Sequence, residues 1–358
     1  MVARGPGAVG CAHCTKLGAV VACGVCKHLV CEPCANDWST CDQPWGRVFR
    51  LGMTGRLVDV DPTGKYGLVT RWRGRMRYVD LRALRWIEVD DVPSLHRREL
   101  RPRLASDGRL FQHEWQNVED QPAYRGLGVT SLTSRQTRTD PSTPYPARGT
   151  GMSLRDDRYW YVTSTEEVAV VRMASPIALT TALYNPLPRK VLQAVYVDAA
   201  RDLIVSASWG EIMVQKIAGE RLEPACYVKT AGDVRWVAIA GPYLAAHVKG
   251  GITVWKLDES LAIAQVSQRI DDDVGIAALS RDGRYLAVGL RDERVVVHAL
   301  DAGTSESYDE HTDDVSYVGF VGDEQLLVTA DDDNRVILRP RAAAGYARPL
   351  RETELGSD

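Results

Sequence analysis

Cysteines are concentrated near the start of the chain, in a pattern that suits metal binding. Seven of the eight lie within 31 residues, namely Cys11, Cys14, Cys23, Cys26, Cys31, Cys34 and Cys41. The first six form three Cys-x2-Cys pairs, a spacing that lets two thiolates of one tight turn reach the same ion. Disulfides are the alternative, but we see no secretory signal, and in a reducing compartment this repeated spacing indicates zinc. Cys226 is isolated and is expected to be a small buried hydrophobe.

The segment CAHCTKLGAVVACGVCKHLVCEPCANDWSTCDQ resembles a B-box zinc finger in the spacing of its pairs. The resemblance implies a cross-brace with two zinc ions, in which the first and third pairs share one ion and the second and fourth share the other. Carried over, Cys11, Cys14, Cys31 and Cys34 bind one ion, and Cys23, Cys26 and Cys41 bind the second. We take Asp42 as the eighth ligand, with Asp37 and His28 as alternatives.

The spacing of Cys26, His28, Cys31 and Cys34 also resembles the centre of a RING finger. That family ends on a Cys-x2-Cys pair, whereas here Cys41 has no such partner and Cys23 would have no role. The B-box-like pairing uses more of the cysteines and is preferred. Sites with four thiolate ligands leave no open position for substrate, so residues 1–45 are predicted to form a structural module that acts through its surface.

Composition limits the classes of protein that the rest of the chain could belong to. Hydrophobic residues make up 45% and charged residues 25% of the chain, as in globular proteins. No apolar run approaches the roughly 18 residues of a membrane helix, so we expect a cytoplasmic protein that does not contact membranes. The net charge of −3 is uneven, with +7 over residues 47–158 and −10 over residues 159–358. This asymmetry can steer a charged partner, although an unevenly solvated surface explains it too.

Beyond residue 46 the chain consists of short β-branched runs separated by turn signals. The clearest unit is Asp273–Leu300, with turns at Asp282-Gly283 and Arg291-Asp292. Similar units start near residues 193, 235, 275 and 315, a period of about 40 residues that is typical of a four-stranded propeller blade. Weaker units at Gly55–Leu81, Arg101–Gly128 and Gly151–Met173 complete the set. The sequence predicts an all-β protein with a seven-bladed β-propeller over residues 46–345, six or eight blades being alternatives, and a C-terminal tail over residues 346–358.

The run HTDDVSYVGF followed by LLVTADDDNRVILRP resembles a WD-repeat unit. This resemblance implies that His311 and Asp333 form a structural hydrogen-bonded pair within the last blade. No unit contains a Trp-Asp pair, so the repeats are divergent. A propeller closes when a strand from one end of the chain completes the blade at the other end. We predict that Arg47–Leu51 supplies the outer strand of the last blade, with Tyr346–Leu350 as the alternative donor.

In a WD-repeat arrangement one face carries the loops between blades and the turns between the second and third strands. Carboxylates of the last two blades converge there, and the predicted partner-binding residues are Asp271, Asp272, Asp273, Asp313, Asp314, Asp331, Asp332 and Asp333. The corresponding turn of the first blade is basic and contains Arg71, Arg73 and Arg75. Turns favour Asp for their own hydrogen bonding, which accounts for some of these residues but not for three in a row twice.

Together these features predict a non-enzymatic scaffold or adaptor. The propeller face would bind a protein partner, either a basic segment or a subunit of a larger complex, and the zinc module would make a second contact. A ubiquitin-ligase-like protein is the alternative, and it requires the RING interpretation. Nucleic-acid binding through Arg71–Arg77 is a third hypothesis, supported by the interleaved Trp72 and opposed by the acidic chain. We find no nucleophile elbow, phosphate loop or paired His/carboxylate ligands that would indicate an enzyme.

Overall fold

The computed structural model describes residues 9–10, 17–18, 20–22, 29–31, 47–51, 55–70, 76–81, 85–87, 102–118, 121–132, 136–152, 158–164, 166–173, 179–270, 273–342, 345–346 and 351–354. Across these ranges the regular secondary structure is β-strand, arranged in two small sheets and seven larger ones. In the part of the chain described, no helix is long and apolar enough to cross a membrane.

Two short hairpins precede the propeller. Their strands are β1 (Val9–Gly10), β2 (Leu17–Gly18), β3 (Val20–Ala22) and β4 (Leu29–Cys31). β1 pairs with β2 and β3 pairs with β4, both antiparallel. Each hairpin connection contains one Cys-x2-Cys pair of the sequence, Cys11 and Cys14 in the first and Cys23 and Cys26 in the second.

Seven consecutive sheets form the blades, which confirms the predicted number. After β5 (Arg47–Arg50), blade 1 contains β6 (Arg56–Val60), β7 (Tyr66–Thr70), β8 (Met76–Asp80) and β9 (Arg85–Ile87). Blade 2 contains β10 (Arg103–Leu104), β11 (Leu110–Val118), β12 (Gln121–Ser131) and β13 (Gln136–Asp140). Blade 3 contains β14 (Arg148–Met152), β15 (Tyr159–Val162), β16 (Val168–Met173) and β17 (Leu179–Tyr184).

The remaining blades follow the predicted repeat units closely. Blade 4 contains β18 (Ala194–Asp198), β19 (Leu203–Ser208), β20 (Glu211–Ala218) and β21 (Arg221–Lys229). Blade 5 contains β22 (Trp236–Ala240), β23 (Tyr243–Val248), β24 (Gly251–Leu257) and β25 (Ile263–Ile270). Blade 6 contains β26 (Val274–Leu279), β27 (Tyr285–Leu290), β28 (Val295–Ala299) and β29 (Thr304–Tyr308). Blade 7 contains β30 (Val315–Val321), β31 (Leu326–Asp331) and β32 (Arg335–Ala342), completed by strands from elsewhere in the chain.

The core lies between adjacent blades and includes side chains from the first, second and third strands of the blades. Every residue of β19 and of β31 is buried, because these strands are covered on both faces by neighbouring blades. Apolar residues therefore follow one another in these strands, and the polar residues among them, Ser206, Ser208, Thr329 and Asp331, are buried as well. The outer strand β25 is mostly exposed along its length. This gradient explains why short runs such as Leu203–Val205 appear as unbroken hydrophobic stretches in the sequence.

Asp-Gly turns join the first and second strands of blades 2 and 6, and the sequence predicts the turn of blade 6 at Asp282-Gly283. In blade 6, Gly283 has a φ of +75°, and an added Cβ atom would lie 2.4 Å from the carbonyl oxygen of Ala240 in blade 5. The Asp282 carboxylate accepts the Arg284 N–H at 2.9 Å, and the Ser280 hydroxyl accepts the Tyr285 N–H at 2.8 Å. A side chain at position 283 would therefore strain the turn and separate two blades.

The ring closes through the segment directly after the cysteine-rich region. β5 pairs antiparallel with β32, with Val48 opposite Ile337 and Phe49 opposite Val336. Phe49 is fully buried in the core between blades 7 and 1. The prediction that Arg47–Leu51 supplies the outer strand of the last blade is confirmed.

The C-terminal segment adds to this closure instead of replacing β5. The short strand β33 (Gly345–Tyr346) pairs with the end of β32, and Tyr346 is buried against Phe320 and Tyr285. β34 (Arg351–Glu354) then pairs parallel with β5 as a fifth strand of blade 7. Within the predicted tail of residues 346–358, Tyr346 and Arg351–Glu354 therefore belong to the last blade.

Candidate protein-interaction surface

We call the face that carries the loops between blades, and the turns between second and third strands, the upper face. Five of the predicted partner-binding residues are described on it: Asp273, Asp313, Asp314, Asp332 and Asp333. The predicted residues Asp271, Asp272, Arg71, Arg73 and Arg75 lie outside the described residues.

Asp331 does not belong to this surface, and its predicted role in partner binding is wrong. Its side chain is fully buried, and Oδ2 lies 3.0 Å from Nδ1 of His311. The predicted pairing of His311 with Asp333 is therefore corrected to a pairing with Asp331. The reason is that β31 ends at Asp331, so this side chain still points into the blade, whereas Asp333 lies in the following turn.

The His311–Asp331 pair continues into a buried polar network. Nε2 of His311 lies 2.8 Å from the hydroxyl of Thr329, which also accepts a hydrogen bond from Arg339 at 3.1 Å. Arg339 is fully buried and donates to Glu310 at 2.6 Å, so Glu310 is neutralised by a cation of its own blade. Burial holds the pKa of His311 below its ordinary value, and the neutral ring can therefore donate from Nδ1 to Asp331.

The pKa of Asp331 is also lowered, although burial alone would raise it. The hydrogen bond from His311 and the backbone N–H groups of Arg335 and Thr312, at 2.8 and 3.2 Å, favour the carboxylate over the acid. An ionised, fully satisfied carboxylate inside the blade is a structural feature. It fixes the relative positions of the loop before β30 and the turn after β31.

Arginines compensate three of the exposed carboxylates on the upper face. Asp332 pairs with Arg56 of blade 1 at 3.2 Å. Asp273 pairs with Arg291 at 3.5 Å, and Asp292 pairs with Arg294 at 2.5 Å. Exposed pairs of this kind add little stability, but they reduce the negative potential that a partner would meet.

Five further carboxylates of blades 6 and 7 form no ion pair with any described residue, and we call them the acidic sector. They are Glu293, Asp309, Asp313, Asp314 and Asp333, of which all but Asp313 are exposed. Their loops are tied together, since the N–H of Asp332 donates to the carbonyl oxygen of Asp314 at 3.0 Å. The hydroxyl of Thr312 donates to Asp333 at 3.3 Å. The acidic sector is therefore held on a rigid frame.

A second feature of the upper face, absent from the sequence-based predictions, is the exposed tryptophan of blade 4. Trp209 lies in the turn between β19 and β20 with 70% of its surface exposed. Its neighbour Gly210 has a φ of +77°, donates to the carbonyl oxygen of Gly232 at 3.0 Å and accepts from the N–H of Thr230 at 2.9 Å. Two hydrogen bonds thus fix this turn to the loop between blades 4 and 5. The sequence signal is an aromatic residue in the two-residue turn Trp209-Gly210, where no core is available to bury it.

Trp209 forms one wall of a groove of about 840 Å³ between the upper loops of blades 4, 5 and 6, which we call the Trp209 groove. Its charged and titratable lining residues are Asp233, Arg235, His247, Lys249 and Asp273. Burial, together with the nearby Arg235 and Arg291 guanidinium groups, lowers the pKa of His247, which is therefore neutral near pH 7. Gly232, Gly250 and Gly251, which have no side chains, also line the groove.

Comparison with solved structures agrees with this architecture. The crystal structure of the Myceliophteria thermophila Cps50 (Swd1) beta-propeller domain aligns with a TM-score of 0.60 at 12% sequence identity, covering 83% of this chain and 98% of that one. The fold is a WD-repeat-like seven-bladed β-propeller. No protein-family model matches the chain, and no curated protein matches it.

The predicted zinc ligands Cys11, Cys14, Cys23, Cys26, Cys34, Cys41 and Asp42 lie outside the described residues, as do the alternatives Asp37 and His28. For Cys31 the backbone is described, at the end of β4 and opposite Val20. Cα atoms of β1 and β4 lie within 8 Å of each other. The described residues contain no group of three or more His, Cys, Asp or Glu side chains that could hold a metal ion. Cys226 is buried, as expected, and burial raises the pKa of its thiol.

Proposed function

We propose that this protein is a non-enzymatic scaffold whose upper propeller face binds a basic segment of a protein partner. The acidic sector is the observation that carries this proposal. Its carboxylates project from loops that backbone hydrogen bonds hold in place, and none forms an ion pair with the described part of the chain. A partner would meet an uncompensated negative potential without having to displace existing salt bridges.

Electrostatic focusing supports this function. Carboxylates on adjacent rigid loops add their potentials and accelerate the encounter with an oppositely charged partner more than they deepen its affinity. Exposed charges are screened over about 8 Å at physiological ionic strength, so binding should weaken as salt is added. The buried Asp331 and the compensated Asp273 and Asp332 contribute less to this potential than the sequence alone suggests.

We further propose that residues 1–45 bind two zinc ions and provide a second contact surface. The hairpins support this, because Cys11 directly follows β1 and Cys31 ends β4, two strands whose Cα atoms approach within 8 Å. That proximity agrees with a shared ion for the first and third Cys-x2-Cys pairs. Zinc would supply rigid tetrahedral crosslinks in a segment too short for a hydrophobic core of its own.

The test of the scaffold function compares two variants of equal charge change. In one, Asp313, Asp314 and Asp333 are changed to Asn, which retains much of the turn hydrogen bonding. In the control, Glu220, Glu223 and Glu259, exposed near the opposite edges of blades 4 and 5, are changed to Gln.

Each protein is used to capture partners from the native host, with quantification by mass spectrometry. We expect the Asp variant to lose its principal partner while the Glu variant keeps it, with similar melting temperatures for both. A partner list that is the same for both variants would refute the role of the acidic sector.

A further inference from the structure

The Trp209 groove differs from the acidic sector in the sign of its available charge. Both of its carboxylates are engaged, Asp233 by the amide of Gln193 at 2.6 Å and Asp273 by Arg291 at 3.5 Å. Its two cations, Arg235 and Lys249, are exposed, and their side chains form no hydrogen bond or ion pair with the part of the chain described. The charged groups of the groove that remain available to bind a ligand, Arg235 and Lys249, are therefore basic.

The shape of the groove suits an extended peptide. Trp209 provides a large flat apolar surface, and its turn is anchored by the two hydrogen bonds to the loop between blades 4 and 5. An added Cβ atom would meet nothing within 4 Å at Gly232, and at Gly250 only an arginine atom at 3.8 Å. No side chain crowds the groove at these two glycines, so the main chain of a ligand can approach closely there. Trp and Arg are the residues most enriched among the dominant contacts of protein interfaces.

We infer that the Trp209 groove binds an acidic peptide segment of a protein partner, with an apolar side chain on Trp209 and a carboxylate between Arg235 and Lys249. This site is separate from the acidic sector of the proposed function and takes a ligand of opposite charge. Arginine and lysine recognise carboxylates through charge-assisted hydrogen bonds, which are stronger than neutral ones. His247 adds no charge near pH 7, because its pKa is lowered.

Single-stranded nucleic acid is the other ligand that combines stacking on tryptophan with negative charge. Its phosphates continue beyond the groove, however, and a strand that left it toward blades 6 and 7 would meet Asp273 and then the acidic sector. A short acidic segment avoids this repulsion because its charge can end at Lys249. The observations favour the peptide.

The experiment uses a phage-displayed library of short random peptides, selected on the immobilised full-length protein. Enriched sequences are synthesised with a fluorescent label, and their dissociation constants are measured by polarisation, with an oligothymidylate as the nucleic-acid probe. The variants are Trp209→Ala and Arg235→Glu. The matched control is Arg221→Glu, the same charge reversal at an exposed arginine near the opposite edge of blade 4.

We expect enriched peptides to carry Asp or Glu beside an apolar residue. Both groove variants should weaken binding at least about tenfold, with little change for the control. The Asn variant of Asp313, Asp314 and Asp333 should retain the peptide, so this result is independent of the acidic sector.

Four outcomes would overturn the inference. They are the absence of any enrichment, enriched peptides without carboxylates, equal affinity for the groove variants and the control, and tighter binding of the oligothymidylate than of the best peptide. Melting temperatures of the groove variants within a few degrees of the wild type would show that any loss of binding is local.

Discussion

The structure pairs His311 with Asp331 rather than with Asp333, and measurements of protein stability can test this correction. Replacing Asp331 with Ala removes an acceptor that is bonded to His311 and to two backbone N–H groups, at 3.0, 2.8 and 3.2 Å. Hydrogen bonds to a charged group contribute about 1.5–3 kcal/mol each, but they are not additive, and the substitution also relieves the cost of burying a charge. The net loss should be about 3–5 kcal/mol, as for breaking other buried polar pairs.

The matched control is Asp333→Ala, two residues away in the same run of aspartates. Asp333 is exposed and accepts one hydrogen bond, at 3.3 Å from the hydroxyl of Thr312. Its removal should cost less than about 0.5 kcal/mol. Because 1 kcal/mol shifts the midpoint of a domain of this size by roughly 2–4 °C, Asp331→Ala should lower Tm by roughly 6–20 °C and Asp333→Ala by less than about 2 °C. Differential scanning calorimetry measures both.

The His311–Asp331 pair should also make the stability of the protein depend on pH in the acid range. The pKa of His311 is lower in the folded protein than the ordinary histidine value of about 6.5. Below that pH the unfolded chain binds more protons, so the free energy of unfolding decreases as the pH is lowered. The lowered pKa of Asp331 acts in the same direction, since its contribution is present above about pH 4 and is lost as the pH falls through its folded value. Below about pH 4 the acid-dependent loss of Tm should therefore be shallower in Asp331→Ala, which lacks this carboxylate, than in the wild type. At higher pH the loss should not be shallower, because Asp331 raises the pKa of His311 and its removal lowers that pKa further. Equal melting temperatures for the two Ala variants would refute the assignment of Asp331 as the buried partner.

Two further predictions concern closure and the cysteine-rich segment. Deleting residues 1–52 removes β5 and the fully buried Phe49, so it should lower the melting temperature by well over 10 °C. Deleting residues 1–44 should leave the melting temperature nearly unchanged. Equal stability of the two truncations would contradict closure by β5. Elemental analysis of purified protein should return about two zinc ions per chain, and less than about one would exclude the cross-brace. Cys31→Ser should abolish part of this zinc without unfolding the propeller.

The fold could be predicted because its signals are local. Alternating β-branched runs and Asp-Gly turns each constrain a few neighbouring positions, and their recurrence with a period of about 40 residues is typical of propeller blades. The donor of the closing strand was also accessible, since an outer strand was missing from the last unit and RVFRL was the first strand-like run after the cysteine-rich segment. Closure follows from the cost of leaving an edge unpaired.

The details of the surface were less accessible, because they depend on where strands end. Asp331, Asp332 and Asp333 are chemically identical in sequence, yet the last ladder position of β31 is buried and the next two form a turn. A shift of one residue in that boundary would exchange their roles. Arg339, on β32, was missed for a related reason, since its partner Glu310 lies 29 residues away in the sequence, on the loop before β30. Trp209 was absent from the sequence-based predictions, although its position in a two-residue turn indicates exposure.

The acidic sector and the Trp209 groove act over different ranges, and this separates their kinetic effects. Charges steer an approaching partner across about 8 Å of physiological salt solution, so neutralising the acidic sector should mainly lower the association rate. Contact with Trp209 exists only after docking, so its removal should mainly raise the dissociation rate. Asp273 lies at the boundary, lining the groove while its charge is compensated by Arg291. A partner that carries a basic segment next to an acidic one would then bind in a single orientation, with the basic segment on the acidic sector and the acidic segment in the Trp209 groove. The reversed orientation would place like charges against each other at both surfaces.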